Sequence, residues 1–383
     1  MKKFILIFLM SFIFMTSVKA EDLNLATSAK SSILIEASTG EIIHSSNENE
    51  RYAPASMTKI MSLILIMEEI EKGALDLNEK IKVSANAASM GGSQIYLEAG
   101  EEMTVNDLLK GICVGSANDA IVALAERISG TEEAFVFKMN ERAKKMGLKN
   151  TNFKNATGLD EANHYSTAYD MAQMARELVR HSKILEYSGI YETYLRQDTN
   201  KKFWLVNTNK LIKTYDGMDG LKTGYTKEAG YCLTATAKRN DMRLIGVIMG
   251  EETSAKRNEE MSKMLDYGFN LYNVNNFLTT KTKVGILKND KSKNGKVNVV
   301  PTQDINVLNK KGNKDRNLSY KLNITNEEIP IKKGDVVGYL SVYENNKEIY
   351  KINVTIDKDI EKANIIELLL RNIKDVMTGD NIM

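Results

Sequence analysis

An apolar run, Ile60–Met67, is the feature that most constrains the fold of this 383-residue chain. Only Ser62 interrupts it, so a helix formed here is apolar on nearly all sides and must lie inside a domain rather than on its surface. Pro54 leads into this helix and places Ser56 and Lys59 in its first turn. Residues three apart share one face of a helix, so we expect the Lys59 amine within reach of the Ser56 hydroxyl.

Ser56 and Lys59 have the chemistry of a nucleophile and its base. A serine hydroxyl attacks efficiently at neutral pH only when a neighbouring group accepts its proton. An amine in a water-poor site loses part of the solvation of its charged form, which lowers its pKa, and a second ammonium from Lys222 would act in the same direction. We therefore expect Lys59 to be a neutral amine that serves Ser56.

Two further motifs follow in the chain, Ser116-Ala117-Asn118 and Lys222-Thr223-Gly224. Each arises easily by chance, as the near-match Lys213-Thr214-Tyr215 illustrates. The order Ser-x-x-Lys, Ser-x-Asn, Lys-Thr-Gly is typical of penicillin-binding proteins and class A β-lactamases, with Ala117 where the usual motif has Asp. The conjunction, rather than any single motif, predicts a serine acyltransferase.

The chain resembles the serine D-alanyl-D-alanine carboxypeptidases, which are the low-molecular-mass penicillin-binding proteins. Four stretches carry the resemblance: Tyr52–Lys59, Gly115–Ala120, Asn155–Leu159 and Asp219–Thr226. The likeness is strong over residues 25–275 and looser up to residue 360, where these enzymes carry a β-rich tail domain.

This resemblance implies a substrate and a set of catalytic roles. Ser56 would attack the penultimate D-alanine of a peptidoglycan stem peptide, and Lys59 would take its proton. The terminal D-alanine would leave with a proton relayed by Ser116, and water would hydrolyse the acyl-enzyme. β-Lactam antibiotics would acylate the same serine.

The remaining site residues are expected to bind the substrate. The Asn118 amide would bond the substrate backbone, and Lys222 and Thr223 would bind its terminal carboxylate. Gly224 would let the substrate lie close to the strand. The resemblance implies an oxyanion hole made by the backbone N–H groups of Ser56 and Tyr225. Arg243 is a candidate second carboxylate contact, with an ordinary surface arginine as the alternative.

Cysteine and histidine usage argues against other chemistries. Cys113 and Cys232 lack Cys-x-x-Cys spacing, and the three histidines form no His-Glu-x-x-His pattern, so we expect neither a metal nor an organic cofactor. Gly-x-Ser-x-Gly and phosphate-loop motifs do not occur in the sequence. Two buried free thiols are favoured slightly over a disulfide. A net charge of +2 indicates little about partners, and an exported chain whose basic stretch lacks interleaved aromatic residues is not expected to bind nucleic acid.

The periodicity predicts an α+β catalytic domain over residues 21–275, of the β-lactamase and penicillin-binding type. An antiparallel sheet would be flanked by helices, with a helical subdomain inserted between Lys59 and Lys222. Hairpins are expected at 32–44 and 231–249, and Lys222-Thr223-Gly224 should occupy a strand beside the second one. Helices are predicted over 105–112, 120–128, 132–146, 167–180 and 255–271. A small all-β domain, sandwich-like, is predicted over 276–357, with a hairpin tip at 344–347.

Both ends of the chain suggest export and membrane association. Residues 1–20 read as a signal peptide, with two lysines, an apolar stretch and small residues before the cleavage position; an uncleaved anchor is the alternative. The terminal region 358–383 is predicted to be an amphipathic helix, with its helical pattern over 359–377. We expect an enzyme outside the cytoplasm, peripheral on the outer face of the cytoplasmic membrane. Packing of the helix against a partner is the alternative.

Two other functions remain open at this point. A β-lactamase-like hydrolase would share the three motifs but would add a glutamate that activates water, and the segment Asn155–His164 lacks the expected Glu-x-x-x-Asn pattern. A wall-binding or β-lactam-sensing protein that acylates without turnover would have identical motifs.

Overall fold

The computed structural model of the chain describes residues 25–314 and 316–378. The predicted signal peptide therefore lies outside the described residues. The helices are α1 Lys59–Glu71, α2 Ala85–Ala88, α3 Val105–Gly115, α4 Asn118–Ser129, α5 Glu132–Lys145, α6 Ala168–Leu178, α7 Ile184–Ser188, α8 Leu211–Thr214, α9 Ser254–Leu271 and α10 Ile365–Thr378. The catalytic part contains the strands β1 Ser31–Glu36, β2 Ile42–Ser46, β3 Lys80–Lys82, β4 Glu102–Thr104, β5 Glu192–Leu195, β6 Phe203–Val206, β7 Met218–Thr226, β8 Gly230–Arg239 and β9 Met242–Glu251. The strands β10 Tyr272–Leu278, β11 Gly285–Lys288, β12 Lys296–Pro301, β13 Ile305–Lys310, β14 Leu318–Ile324, β15 Gly338–Glu344 and β16 Lys347–Ile356 follow.

A five-stranded antiparallel sheet in the order β2-β1-β9-β8-β7 organises the catalytic part. Side chains alternate between its faces, as they must on a strand. On β1, Ile33 and Ile35 pack into the core formed with the inserted helices, whereas Leu34 packs into a second core with α9. The sheet is therefore covered on both faces, which confirms the predicted α+β architecture.

The apolar run lies inside the catalytic part, as its sequence predicted. Ile60–Met67 is buried throughout and forms about the first two turns of α1, which contacts α4, α5 and α6. Because α1 is enclosed on all sides, the side chains of its first turn are held in a water-poor environment.

Both predicted hairpins of the sheet are present, as β1–β2 and β8–β9, and the strand carrying Lys222-Thr223-Gly224 pairs antiparallel with β8. The helices expected between the hairpins are also present as α3 to α6. Several small elements were not predicted, because their sequences lack a strong periodic pattern. They are β3–β4, β5–β6, α2, α7 and α8.

The β-rich region has its own core. A five-stranded sheet, β11-β12-β16-β15-β14, packs with the pair β10–β13 around buried residues such as Val299, Leu340 and Val354. The tip between β15 and β16 is formed by Asn345 and Asn346, which both have positive φ, the conformation that a tight hairpin turn requires. The strand β10 begins directly after α9, at Tyr272.

The terminal helix begins later than predicted. Residues expected to be helical from Asp359 instead bridge to the β-rich region, with Ile360 paired with Ile331 and Lys362 paired with Ser292. Ile360 is buried there, so tertiary pairing overrides the local helical pattern. The helix α10 starts at Ile365, after a capping box in which Asn364 and Glu367 exchange side-chain to backbone hydrogen bonds of 2.9 Å.

Candidate active site

Ser56 lies in a single 3-10 turn, Ala55–Thr58, that leads directly into α1. Ala55, which directly precedes the serine, has φ +47, an uncommon conformation for a residue with a side chain. Ser56 is half-buried, while its neighbours on both sides are buried. The hydroxyl is therefore presented at the surface of an otherwise enclosed turn.

The Lys59 amine contacts three oxygen atoms. Its Nζ lies 3.0 Å from Ser56 Oγ, 2.6 Å from Asn118 Oδ1 and 2.7 Å from the Thr157 carbonyl oxygen. A neutral amine has two N–H donors and one lone pair. Asn118 and Thr157 can only accept at these atoms, so they take the two donors and leave the lone pair for the Ser56 hydroxyl. This arrangement suits a base that removes the serine proton.

Burial and charge both favour the neutral amine. Lys59 is completely buried, and desolvation lowers its pKa well below the ordinary value, with the Lys222 charge acting in the same direction. Asp119 opposes this shift. However, Asp119 is itself occupied, since its carboxylate accepts backbone hydrogen bonds from Ile95 and Leu97 at 3.0–3.2 Å.

Asn118 is fixed by a loop that the sequence analysis did not assign. Its Nδ2 donates to the Gly91 carbonyl at 2.6 Å, which determines that Oδ1 faces Lys59. The Asn118 backbone N–H donates to the Ser93 carbonyl at 2.7 Å. The loop containing Gly91 and Ser93 therefore forms one wall of the site.

A turn in the stretch Asn155–Leu159 supports the lysine from the other side. Asn155 Oδ1 accepts from the Gly158 N–H at 2.7 Å and from the Thr157 hydroxyl at 3.1 Å, and this holds the Thr157 carbonyl toward Lys59. Gly158 has φ +87, and a Cβ added there would lie 1.8 Å from the Ala55 carbonyl oxygen. The sequence of Asn155–Leu159 resembles that of the carboxypeptidases, but the contact of its Thr157 carbonyl with Lys59 is evident only from the structure.

The strand β7 forms an edge of the sheet and brings the third motif to the same place. Lys222 is buried and donates from Nζ to the Thr223 carbonyl at 3.1 Å, and Thr223 Oγ1 donates to Thr208 Oγ1 at 2.7 Å. A Cβ on Gly224 would lie 2.9 Å from the Pro54 carbonyl oxygen. Packing against the turn that carries Ser56 thus requires a glycine here, independently of any substrate.

The pKa of Lys222 is lowered, as is the pKa of Lys59. Burial lowers its pKa to about 8, and the charge of Arg257 contributes, while the nearby Cys113 thiol opposes the shift. At neutral pH Lys222 is still largely protonated, so the site combines one ammonium with one neutral amine.

Ser116 ends α3 in the left-handed conformation, with φ +64. Its Oγ is buried and has no hydrogen-bond partner within residues 25–314 and 316–378. An unsatisfied buried hydroxyl costs free energy, about 1–3 kcal/mol for a typical group. Its hydrogen-bonding capacity is therefore unused, two residues before Asn118 in the second motif.

Arg243, a candidate second contact to the substrate carboxylate, is instead paired with a carboxylate of the protein. Its guanidinium binds both carboxylate oxygens of Asp219 at 2.7 and 2.8 Å and donates to Thr236 at 2.9 Å. A bidentate pair of this kind occupies the two NH₂ groups of the arginine. We therefore interpret Arg243 as a structural clamp between β9 and β7 rather than a substrate contact.

Arg257 is a better candidate for the second contact to the substrate carboxylate, and it was not predicted from the sequence. It is buried near the start of α9, and its charge acts on Lys222. Its guanidinium donates to Asn258 Oδ1 at 2.9 and 3.1 Å, and it forms no ion pair with a carboxylate in the described part of the chain. No motif at this position pointed to it, because it approaches Lys222 only through the packing of α9 on the sheet.

Of the remaining predicted residues, Tyr225 follows Gly224 on β7, and its ring is exposed and stacks with Tyr231, at 4.3 Å between centroids. Both cysteines are free and buried, which confirms that prediction.

One group of metal-ligand type occurs among the described residues. Ligand atoms of Glu68, Glu177 and His181 lie within 4.8 Å of one another. Arg142 already pairs with both carboxylates, at 2.7 and 2.6 Å, and Arg180 lies 3.5 Å from Glu177, so two guanidinium charges offset the two carboxylates. The arrangement is explained as an ion-pair network.

Comparisons with known proteins identify two regions. A model of the D-alanyl-D-alanine carboxypeptidase peptidase family matches residues 16–253, and a model of the penicillin-binding protein 5 C-terminal domain matches residues 272–362. The D-alanyl-D-alanine carboxypeptidase DacF of Bacillus subtilis is 49% identical over 352 residues, which cover 92% of this chain and 90% of the relative. DacC of Escherichia coli is 33% identical over 350 residues, covering 88% and 85%.

Solved structures of penicillin-binding proteins have a similar fold. Penicillin binding protein 5 from Haemophilus influenzae superposes with a TM-score of 0.72 at 29% identity and covers 88% of this chain and 98% of that protein. Penicillin-binding protein D2 from Listeria monocytogenes, in its ampicillin-bound form, has a TM-score of 0.57 at 31% identity and covers 63% and 98%.

The contact between Gly158 and Ala55 generates a first prediction. In Gly158→Ala the new methyl group collides with the Ala55 carbonyl, so the turn carrying Ser56 must move. We expect the rate of acylation by a fluorescent penicillin to fall at least about 100-fold, the scale of a misplacement near 1 Å.

Gly73→Ala is the matched control, because Gly73 also has positive φ, +73, but nothing lies within 4 Å of the added atom. It should lose only about 1 kcal/mol of stability and keep its acylation rate. Normal acylation by Gly158→Ala would show that the turn does not position the serine.

Proposed function

The chain belongs to the D-alanyl-D-alanine carboxypeptidase family, and from this premise we propose how its residues share the reaction. The protein is a serine-type D-Ala-D-Ala carboxypeptidase, a hydrolase that acts on peptidoglycan peptides and binds β-lactams covalently. The observation that carries the assignment of roles is the 3.0 Å contact between a buried lysine amine and a half-buried serine hydroxyl.

Acylation begins at Ser56. The Oγ attacks the carbonyl carbon of the penultimate D-alanine while its proton passes to Lys59 Nζ. The ammonium so formed keeps Asn118 Oδ1 and the Thr157 carbonyl as acceptors, so the new charge is stabilised as it develops. The backbone N–H groups of Ser56 and Tyr225 are proposed to bind the oxyanion.

Departure of the terminal D-alanine requires a proton on its amine. We assign the relay to Ser116, which passes the proton of the Lys59 ammonium to the departing amine and so returns Lys59 to its neutral form; the buried Ser116 hydroxyl has a free hydrogen-bonding capacity in the described structure. The Asn118 Nδ2 group donates one N–H to the Gly91 carbonyl, and we propose that its remaining N–H bonds the substrate backbone. Water then hydrolyses the ester on Ser56, with Lys59 acting again as the base.

The terminal carboxylate is proposed to bind to Lys222, Thr223 and Arg257. Lys222 and Arg257 are two buried cations whose hydrogen bonds in the described residues go to neutral oxygen atoms, and an anionic ligand would relieve their mutual repulsion. Arg243 is not part of this proposal, because Asp219 already occupies it.

Fast β-lactam hydrolysis is disfavoured by the turn that faces Lys59. Glu161 is the only glutamate in Asn155–His164, and its side chain is exposed and accepts from Asn155 at 3.2 Å. A glutamate in that position is not directed at the ester, so we expect slow release of penicillin.

The two lysines generate a prediction about pH. For a soluble pentapeptide, kcat/KM should fall at low pH as Lys59 becomes protonated, and should fall again above about pH 8, where Lys222 loses the charge that binds the carboxylate. The measurement is D-alanine release across pH 5–10 under kcat/KM conditions.

The control is the same peptide with its terminal carboxylate amidated. Its slow turnover should lack the alkaline decline, because it has no negative charge for Lys222 to bind. An alkaline decline shared by both peptides would show that Lys222 does not recognise the carboxylate.

We further propose that the exported enzyme is attached to the outer face of the cytoplasmic membrane through α10. Five large apolar residues of this helix are exposed and fall on one stripe: Ile365, Ile366, Leu369, Leu370 and Ile373. Among the described helices none is long and apolar enough to cross a bilayer. An exposed apolar stripe on a helix at the end of the chain supports attachment in the plane of the interface.

Substitution of Leu369 and Leu370 by Glu in the mature chain tests this proposal. The double variant should no longer sediment with vesicles containing anionic lipid, because burying two carboxylates removes the apolar contribution. D-Alanine release from a soluble pentapeptide should be unchanged.

Ile286→Glu, at an exposed apolar residue of β11, is the matched control and should bind vesicles normally. Binding by the intact chain should survive moderate salt, since screening weakens only electrostatic attraction. Vesicle binding by the double variant would rule out α10 as the anchor.

A further inference from the structure

His164 is a buried histidine that has no part in the reaction described above. It is 6% exposed, and Phe153 packs edge-on against its ring, with 5.8 Å between the ring centroids. Its Nε2 lies 2.8 Å from the hydroxyl oxygen of Thr58, although 106 residues separate the two in the chain. Thr58 stands between Ser56 and Lys59 in the first motif. His164 is therefore in contact with the turn that carries both the nucleophile and its base.

Thr58 uses its hydroxyl in an unusual way for its position. It is the N-cap residue of α1, where a threonine ordinarily accepts a hydrogen bond from a backbone N–H two or three residues further on. Such bonds are present at the N-cap threonines of four other helices, which are Thr104, Thr131, Thr167 and Thr253. Thr58 makes none, because the 3-10 turn continues directly into α1 and gives it helical φ and ψ of −45 and −38. Its oxygen instead bonds His164.

The hydrogen bonds of His164 determine which ring nitrogen carries the proton. Nδ1 accepts from the backbone N–H of Lys154 at 3.2 Å, so it carries none. A neutral imidazole then has its single N–H at Nε2, which donates to the Thr58 oxygen. Burial lowers the pKa of His164 to about 4, against the opposing charges of Glu161 and Asp160. The ring is therefore neutral at physiological pH, in the form that this pair of hydrogen bonds requires.

The loop 155–164, which ends at His164, also supplies an acceptor to the base. Its Thr157 carbonyl takes one of the two N–H groups of Lys59, at 2.7 Å. The loop approaches the turn closely at a second point, since a Cβ on Gly158 would lie 2.9 Å from Thr58 Oγ1. The position of the Thr157 carbonyl relative to the amine therefore depends on how His164 and Gly158 hold the loop against the turn.

We propose that His164 is a positioning residue for the acyl transfer, which fastens the loop 155–164 to the turn carrying Ser56 and Lys59 through its hydrogen bond to Thr58. This inference rests on the proposed function, because it concerns the alignment of the nucleophile and the base assigned there. His164 acts through Thr58 rather than on the substrate. Loss of its donor should slow the chemical step and leave substrate binding unchanged, since the proposed carboxylate contacts lie on β7 and α9.

Two substitutions separate the two hydrogen bonds of His164. The amide N–H of glutamine takes the place of Nε2–H, so His164→Gln keeps a donor for Thr58. The Oδ1 of asparagine takes the place of Nδ1, so His164→Asn keeps an acceptor for Lys154 but lacks the donor. For D-alanine release from a soluble pentapeptide, His164→Asn should lower kcat about tenfold, with KM unchanged. The kcat of His164→Gln should stay within about threefold of the wild-type value.

His181→Asn is the matched control. His181 is also largely buried, but its ring pairs with Glu71, at 2.8 Å, so kcat should be unchanged. Stoichiometric labelling by a fluorescent penicillin verifies that each variant is folded. Should His164→Asn fail to label, Thr58→Val tests the same bond from its other partner, and its kcat should also fall about tenfold with KM unchanged.

A wild-type kcat in a folded His164→Asn or Thr58→Val variant would overturn the proposal, as would equal losses of kcat in His164→Asn and His164→Gln. Failure of the wild-type enzyme to release D-alanine from the pentapeptide would instead contradict the proposed function. The two failures are distinguishable, because the first is a comparison of variants with an active wild-type enzyme.

Discussion

The site depends on one contact, the neutral amine of Lys59 held between three oxygen atoms. Two of these atoms, on Asn118 and Thr157, can only accept, and this directs the lone pair of the amine toward Ser56. Removing a lysine from water is costly unless it becomes neutral. The fold meets that condition by placing the residue at the start of an enclosed helix.

The rest of the catalytic part maintains this geometry. The apolar helix α1 excludes water, the edge strand β7 supplies Lys222, and the turn at Gly158 packs on the backbone next to the serine. Glycines at 158 and 224 are required because two segments of backbone meet there without space for a side chain. Catalytic preorganisation is therefore a consequence of close packing around one short turn.

The sequence predicted what depends on local pattern. The apolar run identified α1, and alternation identified the two hairpins. The three motifs contain Ser56, Lys59 and Asn118, which are in direct contact, and Lys222, whose charge acts on Lys59. The sequence did not predict contacts that arise from packing between distant segments. Arg257 approaches Lys222 only because α9 folds back on the sheet, whereas Arg243 looked suitable on its strand but is bound by Asp219. Ile360 pairs with Ile331, so the terminal helix starts later than its pattern suggested.

Titration of Lys59 tests the central claim most directly. In protein labelled with ¹³C at lysine Cε, the Lys59 signal can be assigned by its loss in Lys59→Met and followed across pH. We expect the Lys59 signal to titrate at a pH well below that of the exposed lysines, which titrate near pH 10.4. Titration of Lys59 together with the exposed lysines would contradict the account, because a permanently charged ammonium cannot take the proton of Ser56.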